Sequence, residues 1–450
     1  MTSIREQLLD MIEAPNAFDI PRTELEDMQL TAARDLFKER RGQIRILDKR
    51  ATDAGIGEIR TFDDLVPLLF AHTVYKSYPP SFIEQGRWDR MLQWLGTLSV
   101  PDVKNTDVQG VKDVDEWIDR LNAAGHVILA TSGTTGKNSF LLQTQEDVDR
   151  RRFYFRHAKG WPYVKPNQDR PFFALGPSKG PTSAVETYHL HADVFGRPGQ
   201  KYFLSDEPIR ISEISRLAAL RKRMSEGRAS PSEVRATAEE SQARFKDMTA
   251  RIEELTRLIL EHRHEPIYVS GQYAQHMMIL ECAHAMGAKD GEFHPDSLVH
   301  IGGGVKNVVL PPDYKEQVDR FWGKVHRAPT YGMTEMAQAL VRCEAGRYHR
   351  APGLIMLILD QAGERLLTPA DAVDGMAVGR MGFLDLLYEG RWGGIISGDK
   401  VTVDFSERCP CGRHGPTLLD NISRFSQPGE DDHIGCSGTL EAYIRGALPS

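Results

Sequence analysis

The apolar run "HVILA" at His126–Ala130 leads directly into "TSGTTGKNS" at Thr131–Ser139. A short β-rich run stopped by a glycine- and hydroxyl-rich turn is the habit of α/β folds that hold ligands beyond strand C-termini. Glycine lets backbone N–H groups turn inward, and the hydroxyls of Thr131, Ser132, Thr134 and Thr135 add polar partners. With Lys137 at its end, the loop suits a polyphosphate. It is not the common P-loop, whose two glycines stand four residues apart with Ser or Thr after the lysine. Here two residues separate Gly133 from Gly136, and Asn138 follows Lys137.

Further β-rich runs follow: "RPFFALG", "PIYVSG", "SLVHIGGG" and "KVHRAPTYG". They alternate with helical stretches, which predicts an α/β core. Upstream, residues 20–100 read as helices, with Leu30, Ala33, Leu36 and Phe37 at helical spacing. Residues 206–263 are polar and charged, and predict a helical hairpin inserted in the core. Ser230, Pro231 and Glu233 make a capping box with proline at the first helical position. Phe245, Met248, Ile252, Leu255 and Ile259 then form one apolar stripe. Such a hairpin serves as a packing or oligomer element, or as a lid. From about 350 to 420, short strands and turns predict a small β subdomain.

Composition narrows the partners. Sixty-three acidic against 56 basic residues give a net charge of −7, so nothing points to nucleic acid or an anionic membrane. No apolar run reaches the length of a membrane span, and the acidic N-terminus lacks the apolar stretch of a secretory signal. Five cysteines, an odd number, do not describe a disulfide scaffold and fit a reducing cytoplasm. Four residues have metal-ligand character: Cys343 and His349 in "CEAGRYH", Cys409 and Cys411 in "CPC". This C-x₅-H … C-x-C pattern suits a closed Cys₃His zinc site of structural type. His414 competes for the fourth position, and the alternative is buried or free thiols beside a solvated histidine.

Three further motifs follow the first loop in order: "GGG" at Gly302–Gly304, "YGMTE" at Tyr331–Glu335 and "SGD" at Ser397–Asp399. Together the set resembles the adenylate-forming superfamily of acyl-CoA synthetases and adenylation domains. "FDDLVPLLFAHTVYKSYP" at 62–79 and "CPCGR" at 409–413 are similar to the phenylacetate–CoA ligase branch. The resemblance implies a multi-layer α/β adenylation domain. It implies that residues 131–137 hold the β- and γ-phosphates of ATP, that Gly302, Gly303 and Gly304 approach adenine, and that Tyr331 stacks on the base beside Gly332. Thr334 would touch phosphate, Glu335 would hold Mg²⁺, and Asp399 would accept from the ribose hydroxyls. The substrate is a carboxylic acid, for which Tyr188, His189 and His191 are candidate pocket residues, whether it is alkyl or aryl.

The chain end sharpens the acceptor question. Adenylating enzymes of this superfamily carry a mobile C-terminal domain whose lysine assists adenylation. Here 51 residues follow Asp399, and none after Lys400 is lysine. The expectation is that this domain is absent. "GEDDHI" falls where the family has its hinge, with Glu430 in place of an arginine; Arg424 is a stand-in for the missing ribose contact. "IGCSGTLEAY" and the "GGG-x-K" element ending at Lys306 are similar to the acyl-protein synthetases of bacterial luciferase operons. That likeness implies acylation of Cys436, with His433 as base, and hand-over to a reductase or transferase partner. A chain lacking its mobile domain is also a natural candidate for a complex or oligomer. Other acceptors stay open: CoA or a carrier thiol, an amine, or an inorganic nucleophile. A non-catalytic nucleotide-binding scaffold is the reading from another class. The expected organisation is a helical region at 1–100, an α/β core at 101–350, a β subdomain at 351–425 and a hinge remnant at 426–450.

Overall fold

A computed structural model of the chain describes residues 2–131, 137–302 and 310–425, except the side chains of Lys222, Ser241, Ala243 and Phe245. Ser132, Gly133, Thr134, Thr135, Gly136, Gly303, Gly304, His433 and Cys436 therefore lie outside the described residues. The described chain forms two interleaved units. One comprises residues 2–129, 140–162 and 330–425; the other comprises 130–131, 137–139, 163–302 and 310–329.

The second unit is an α/β layer structure. Its five strands are all parallel, in the order Gly196–Pro208, Arg170–Lys179, Tyr268–Gly271, Leu298–Ile301, His326–Arg327. Phe172, Phe173, Ala174 and Leu175 are all buried, as a strand covered on both faces requires. The edge strand Gly196–Pro208 is mostly polar, with only Tyr202–Leu204 as an apolar run, too short to mark a strand of this length. The helix Ser183–Phe195, capped by the Thr182 hydroxyl, runs between the first two strands. The hairpin consists of helices Ile211–Ser225 and Pro231–Glu261. The Ser230 hydroxyl accepts from the Glu233 N–H at 3.2 Å, and the Glu233 carboxylate accepts in return from the Ser230 N–H at 3.1 Å. Ile252, Leu255 and Ile259 are buried, and Met248 is half-buried.

In the first unit, the N-terminal helices and a nine-stranded sheet share one core. The helix Arg22–Arg41 buries Leu25, Ala32, Ala33, Leu36 and Phe37, and ends at Gly42 before a second helix, Arg45–Asp53. The sheet runs Leu354–Leu359, Met376–Asp385, Gly394–Asp404, Thr417–Leu418, Tyr348–His349, Leu340–Arg342, Thr330–Tyr331. The short strand Phe70–Ala71 pairs in parallel with Ile395–Ile396. Segments 1–100 and 351–425 thus bury their apolar faces against each other. Among the described residues, no helix is long and apolar enough to cross a membrane.

Candidate functional site

Tyr331 sits on the two-residue strand Thr330–Tyr331, paired antiparallel with Leu340–Val341. Asp399 lies on the central strand Gly394–Asp404, where it pairs with Arg424 of the short strand Ser423–Arg424. These two strands bring together groups far apart in sequence. The Tyr331 hydroxyl donates to Asp399 Oδ2 at 2.7 Å, and Arg424 Nε stands 3.1 Å from Asp399 Oδ1. Ser397 holds this stretch of the strand, since its hydroxyl accepts the Asp399 N–H at 3.1 Å and donates to the Met381 carbonyl at 2.9 Å. Burial, reinforced by the Asp399 charge, pushes the Tyr331 phenol well above its ordinary range, so it stays a neutral donor. Gly332 is demanded by the hairpin: a Cβ there would lie 2.8 Å from Ala339 Cβ.

Glu335 is buried, and desolvation raises its carboxyl above the usual carboxylate range. Thr334, one residue before it, is half-buried. The turn that follows is clamped by Asp385. This fully buried carboxylate accepts the N–H groups of Ala337 (2.8 Å), Gln338 (2.9 Å) and Leu387 (3.1 Å), and the Gln338 side-chain amide at 2.8 Å. Arg391, also buried, donates from Nη2 to the Glu335 carbonyl at 3.2 Å and stacks 3.6 Å from the Tyr388 ring. Neither residue was foreseen. An acid inside the apolar "GFLDLL" was the one available signal for Asp385, since an unpaired carboxylate is costly to bury.

The strand Val127–Ala130 ends where the second unit begins, at the glycine-rich loop. Its neck is closed by three hydrogen bonds. The Thr131 N–H donates to the Ser139 carbonyl at 3.0 Å, the Ser139 N–H donates to the Thr131 hydroxyl at 2.9 Å, and the Asn138 amide donates to the Thr131 carbonyl at 2.6 Å. Ser215 of the hairpin's first helix donates to Asn138 Oδ1 at 3.0 Å. Thr131, one of the hydroxyl residues expected at the phosphates, thus contributes its hydroxyl and backbone to this closure. Lys137 is half-buried just inside it.

The three pocket candidates diverge. His189 is exposed, with Nε2 on the Ser178 carbonyl. Tyr188 and His191, three residues apart on one helix face, are buried. Tyr188 donates to Gln275 Oε1 at 3.4 Å, and His191 Nδ1 lies 3.0 Å from the Tyr268 hydroxyl and 3.3 Å from Ser270 Oγ. Ser270 in turn meets His300 Nδ1 at 3.4 Å, two residues before Gly302. A polar line therefore runs along the C-terminal ends of the strands Tyr268–Gly271 and Leu298–Ile301, the position where parallel sheets take ligands.

Cys343, His349, Cys409 and Cys411 converge in the first unit, all ligand atoms within 4.8 Å of one another. Two tight turns present them. One is closed by Cys343 N–H to the Arg347 carbonyl (2.8 Å), the other by Cys409 N–H to the Arg413 carbonyl (2.8 Å). The sulfurs of Cys343 and Cys409 are 3.9 Å apart, and Cys411 Sγ is 3.5 Å from His349 Nε2. A tetrahedral zinc with Zn–S about 2.3 Å and Zn–N about 2.0 Å requires about 3.8 Å between sulfurs and about 3.5 Å from sulfur to nitrogen. The donor set fits zinc. Burial lowers His349 to about 4, leaving the neutral imidazole a metal needs, and its ring also hydrogen-bonds to the Phe18 backbone. Cys409 is pushed up to about 12 by burial. Cys411 is lowered: burial opposes ionisation, but hydrogen bonds from the Arg413 backbone and side chain outweigh it. His414 is not a fourth ligand; its Nδ1 lies 2.8 Å from Asp19 Oδ1.

No protein-family model and no curated protein matches the chain. Solved structures do. One is 2-hydroxyisobutyryl-CoA ligase in its postadenylation state with an acyl-adenylate, at 12% identity and a TM-score of 0.55, covering 92% of this chain and 72% of that one. An open conformation of 2-hydroxyisobutyryl-CoA ligase with 2-HIB-AMP and CoA aligns at 13% identity and a TM-score of 0.53, covering 92% and 79%. In fold, this mixed α/β chain is similar to 2-hydroxyisobutyryl-CoA ligase.

Proposed function

We propose that the chain is an ATP- and Mg²⁺-dependent ligase that activates a carboxylic acid as its acyl-adenylate. The observation that carries the reading is the Tyr331–Asp399–Arg424 cluster, which joins two motifs 68 positions apart by a 2.7 Å hydrogen bond. In this reading Tyr331 presents its ring to adenine, Asp399 accepts from the ribose hydroxyls, and Arg424 neutralises Asp399 between turnovers. Lys137 and the loop it closes hold the terminal phosphates, and Thr334 meets a phosphate oxygen. Glu335 is a hard-oxygen donor in a dry setting, fitted to Mg²⁺, which supplies charge neutralisation on the phosphates when bound. The acid's carboxylate oxygen bonds to the α-phosphorus as the α–β bridge breaks and pyrophosphate leaves. The protein contributes position and preorganised charge.

For the second half-reaction we infer a thiol acceptor, the chain's own Cys436. A thiolate attacks the acyl carbonyl, AMP leaves, and the thiol proton passes to a base, for which His433 is the candidate. The acyl-cysteine then serves a reductase or transferase partner. An external thiol such as CoA is the second reading, favoured by the Cys₃His cluster to which "CPCGR" contributes Cys409 and Cys411, and by the CoA-bearing structure of similar fold.

Two measurements test this. Acid-dependent exchange of pyrophosphate into ATP, over a panel of fatty and aryl acids, is expected for any adenylating reading; its absence with every acid leaves a scaffold. Intact mass after incubation with ATP–Mg²⁺ and an exchanging acid is expected to show a hydroxylamine-labile acyl gain, lost in Cys436→Ser. Exchange without an adduct moves the acceptor to a diffusible nucleophile.

A further inference from the structure

Lys159 follows the helix Gln145–Ala158 as its C-cap residue and is only 5% exposed. A lysine is almost never buried so fully without a counter-charge. Its Nζ donates to Thr330 Oγ1 at 3.0 Å and lies 4.8 Å from the Phe155 ring centroid. Among the described residues no carboxylate pairs with it. The charged side chain that acts on it is Arg151 of the same helix, of like sign, and it joins burial in lowering the ammonium to about 7. A lysine kept merely to cap the helix would put its Nζ on the last-turn carbonyls. Its hydrogen bond goes instead to Thr330, the residue before Tyr331. One hydroxyl and one ring face leave most of its donor capacity unused in a dry position.

We propose that Lys159 binds an oxyanion of the reactants beside Tyr331, either the carboxylate of the acid or a phosphate of the nucleotide. The ligand then supplies the counter-ion that the protein omits. This rests on the adenylation reading. Thr330 is a positioning residue that aims the ammonium, and the Phe155 face holds it by a cation–π contact. Because the free lysine is only partly charged near neutrality, an arriving oxyanion raises its proton affinity, and binding takes up a proton.

The test is calorimetric titration at about pH 7.5 in two buffers of different ionisation enthalpy, where a lysine of this kind is partly protonated. The probes are AMP and, separately, acetate, hexanoate and benzoate. One of the two chemistries is expected to bind with proton uptake. Lys159→Met should abolish the uptake and weaken that probe by roughly 10- to 100-fold, the worth of a charge-assisted hydrogen bond. Lys159→Arg should retain more of the affinity with no uptake, because a guanidinium carries its charge throughout. Uptake with AMP assigns the phosphate, and uptake with the acids assigns the carboxylate. Binding of AMP and the acids with unchanged affinity and proton count in Lys159→Met overturns the proposal and leaves the adenylation reading standing. Failure of the wild type to bind AMP or ATP–Mg²⁺ overturns that reading itself. Should Lys159→Met not fold, the proton count of Lys159→Arg decides alone.

Discussion

Glu335→Gln should lower acid-dependent ATP–pyrophosphate exchange by about 10²–10³-fold, the usual scale for removing one preorganised charge-stabilising group. The same substitution should leave the melting temperature unchanged or raise it. The opposite signs follow from one fact: the carboxylate is buried and its pKa is raised by desolvation. A group whose folded pKa lies above its unfolded value contributes its full stability below the unfolded pKa. That contribution is lost as pH rises through the folded value. Wherever it is ionised, Glu335 is therefore a cost to the fold, partly offset by the neighbouring Arg391 and Arg424 charges. Glutamine keeps the shape without the charge. Exchange assays and thermal melts at neutral pH and near pH 5 check both halves; an unstable variant of normal activity would mean that Glu335 is structural.

Disrupting the Cys₃His cluster should have the largest effect on stability. We expect about one zinc per chain by elemental analysis, and near-complete loss of it in Cys409→Ser. The cluster ties the hairpin carrying Cys343 and His349 to the Cys409–Cys411 turn, with 66 positions between Cys343 and Cys409. Breaking such a cross-link should cost about 3 kcal/mol or more, which lowers Tm by roughly 5–10 °C for a unit of this size. Cobalt substitution offers an independent reading, since a tetrahedral S₃N site gives intense visible bands. Because Tyr331 pairs with Leu340 on the strand that leads into Cys343, chelation should also weaken nucleotide binding. A metal-free protein of full stability, or zinc retained in Cys409→Ser, would remove the structural assignment.

Sequence alone made several features legible. The capping box at Ser230–Glu233 is a local hydrogen-bond pattern, and it stands as read. The β-rich runs at 127–130, 170–176, 268–271 and 298–301 are strands, the last three in the parallel sheet, whose buried strands need continuous apolar residues. The mixed α/β class followed from them. The four metal-ligand types were visible as residue chemistry at short spacing. What they could not show was distance: spacing left His414 as a rival ligand, and only the turn geometry directs it to Asp19.

The remainder was decided in three dimensions. Asp385 reads as a stray acid in an apolar strand until the sheet brings four N–H donors to it. Lys159 reads as an ordinary residue after a helix until the fold buries it against Thr330. The strand Gly196–Pro208 is mostly polar and becomes a strand through its pairing with Arg170–Lys179. Motif identity, capping and apolar runs are properties of neighbours along the chain, which the sequence by itself determined. Burial, counter-charge and the meeting of Tyr331 with Asp399 depend on which distant strands pair, and only tertiary structure decided those.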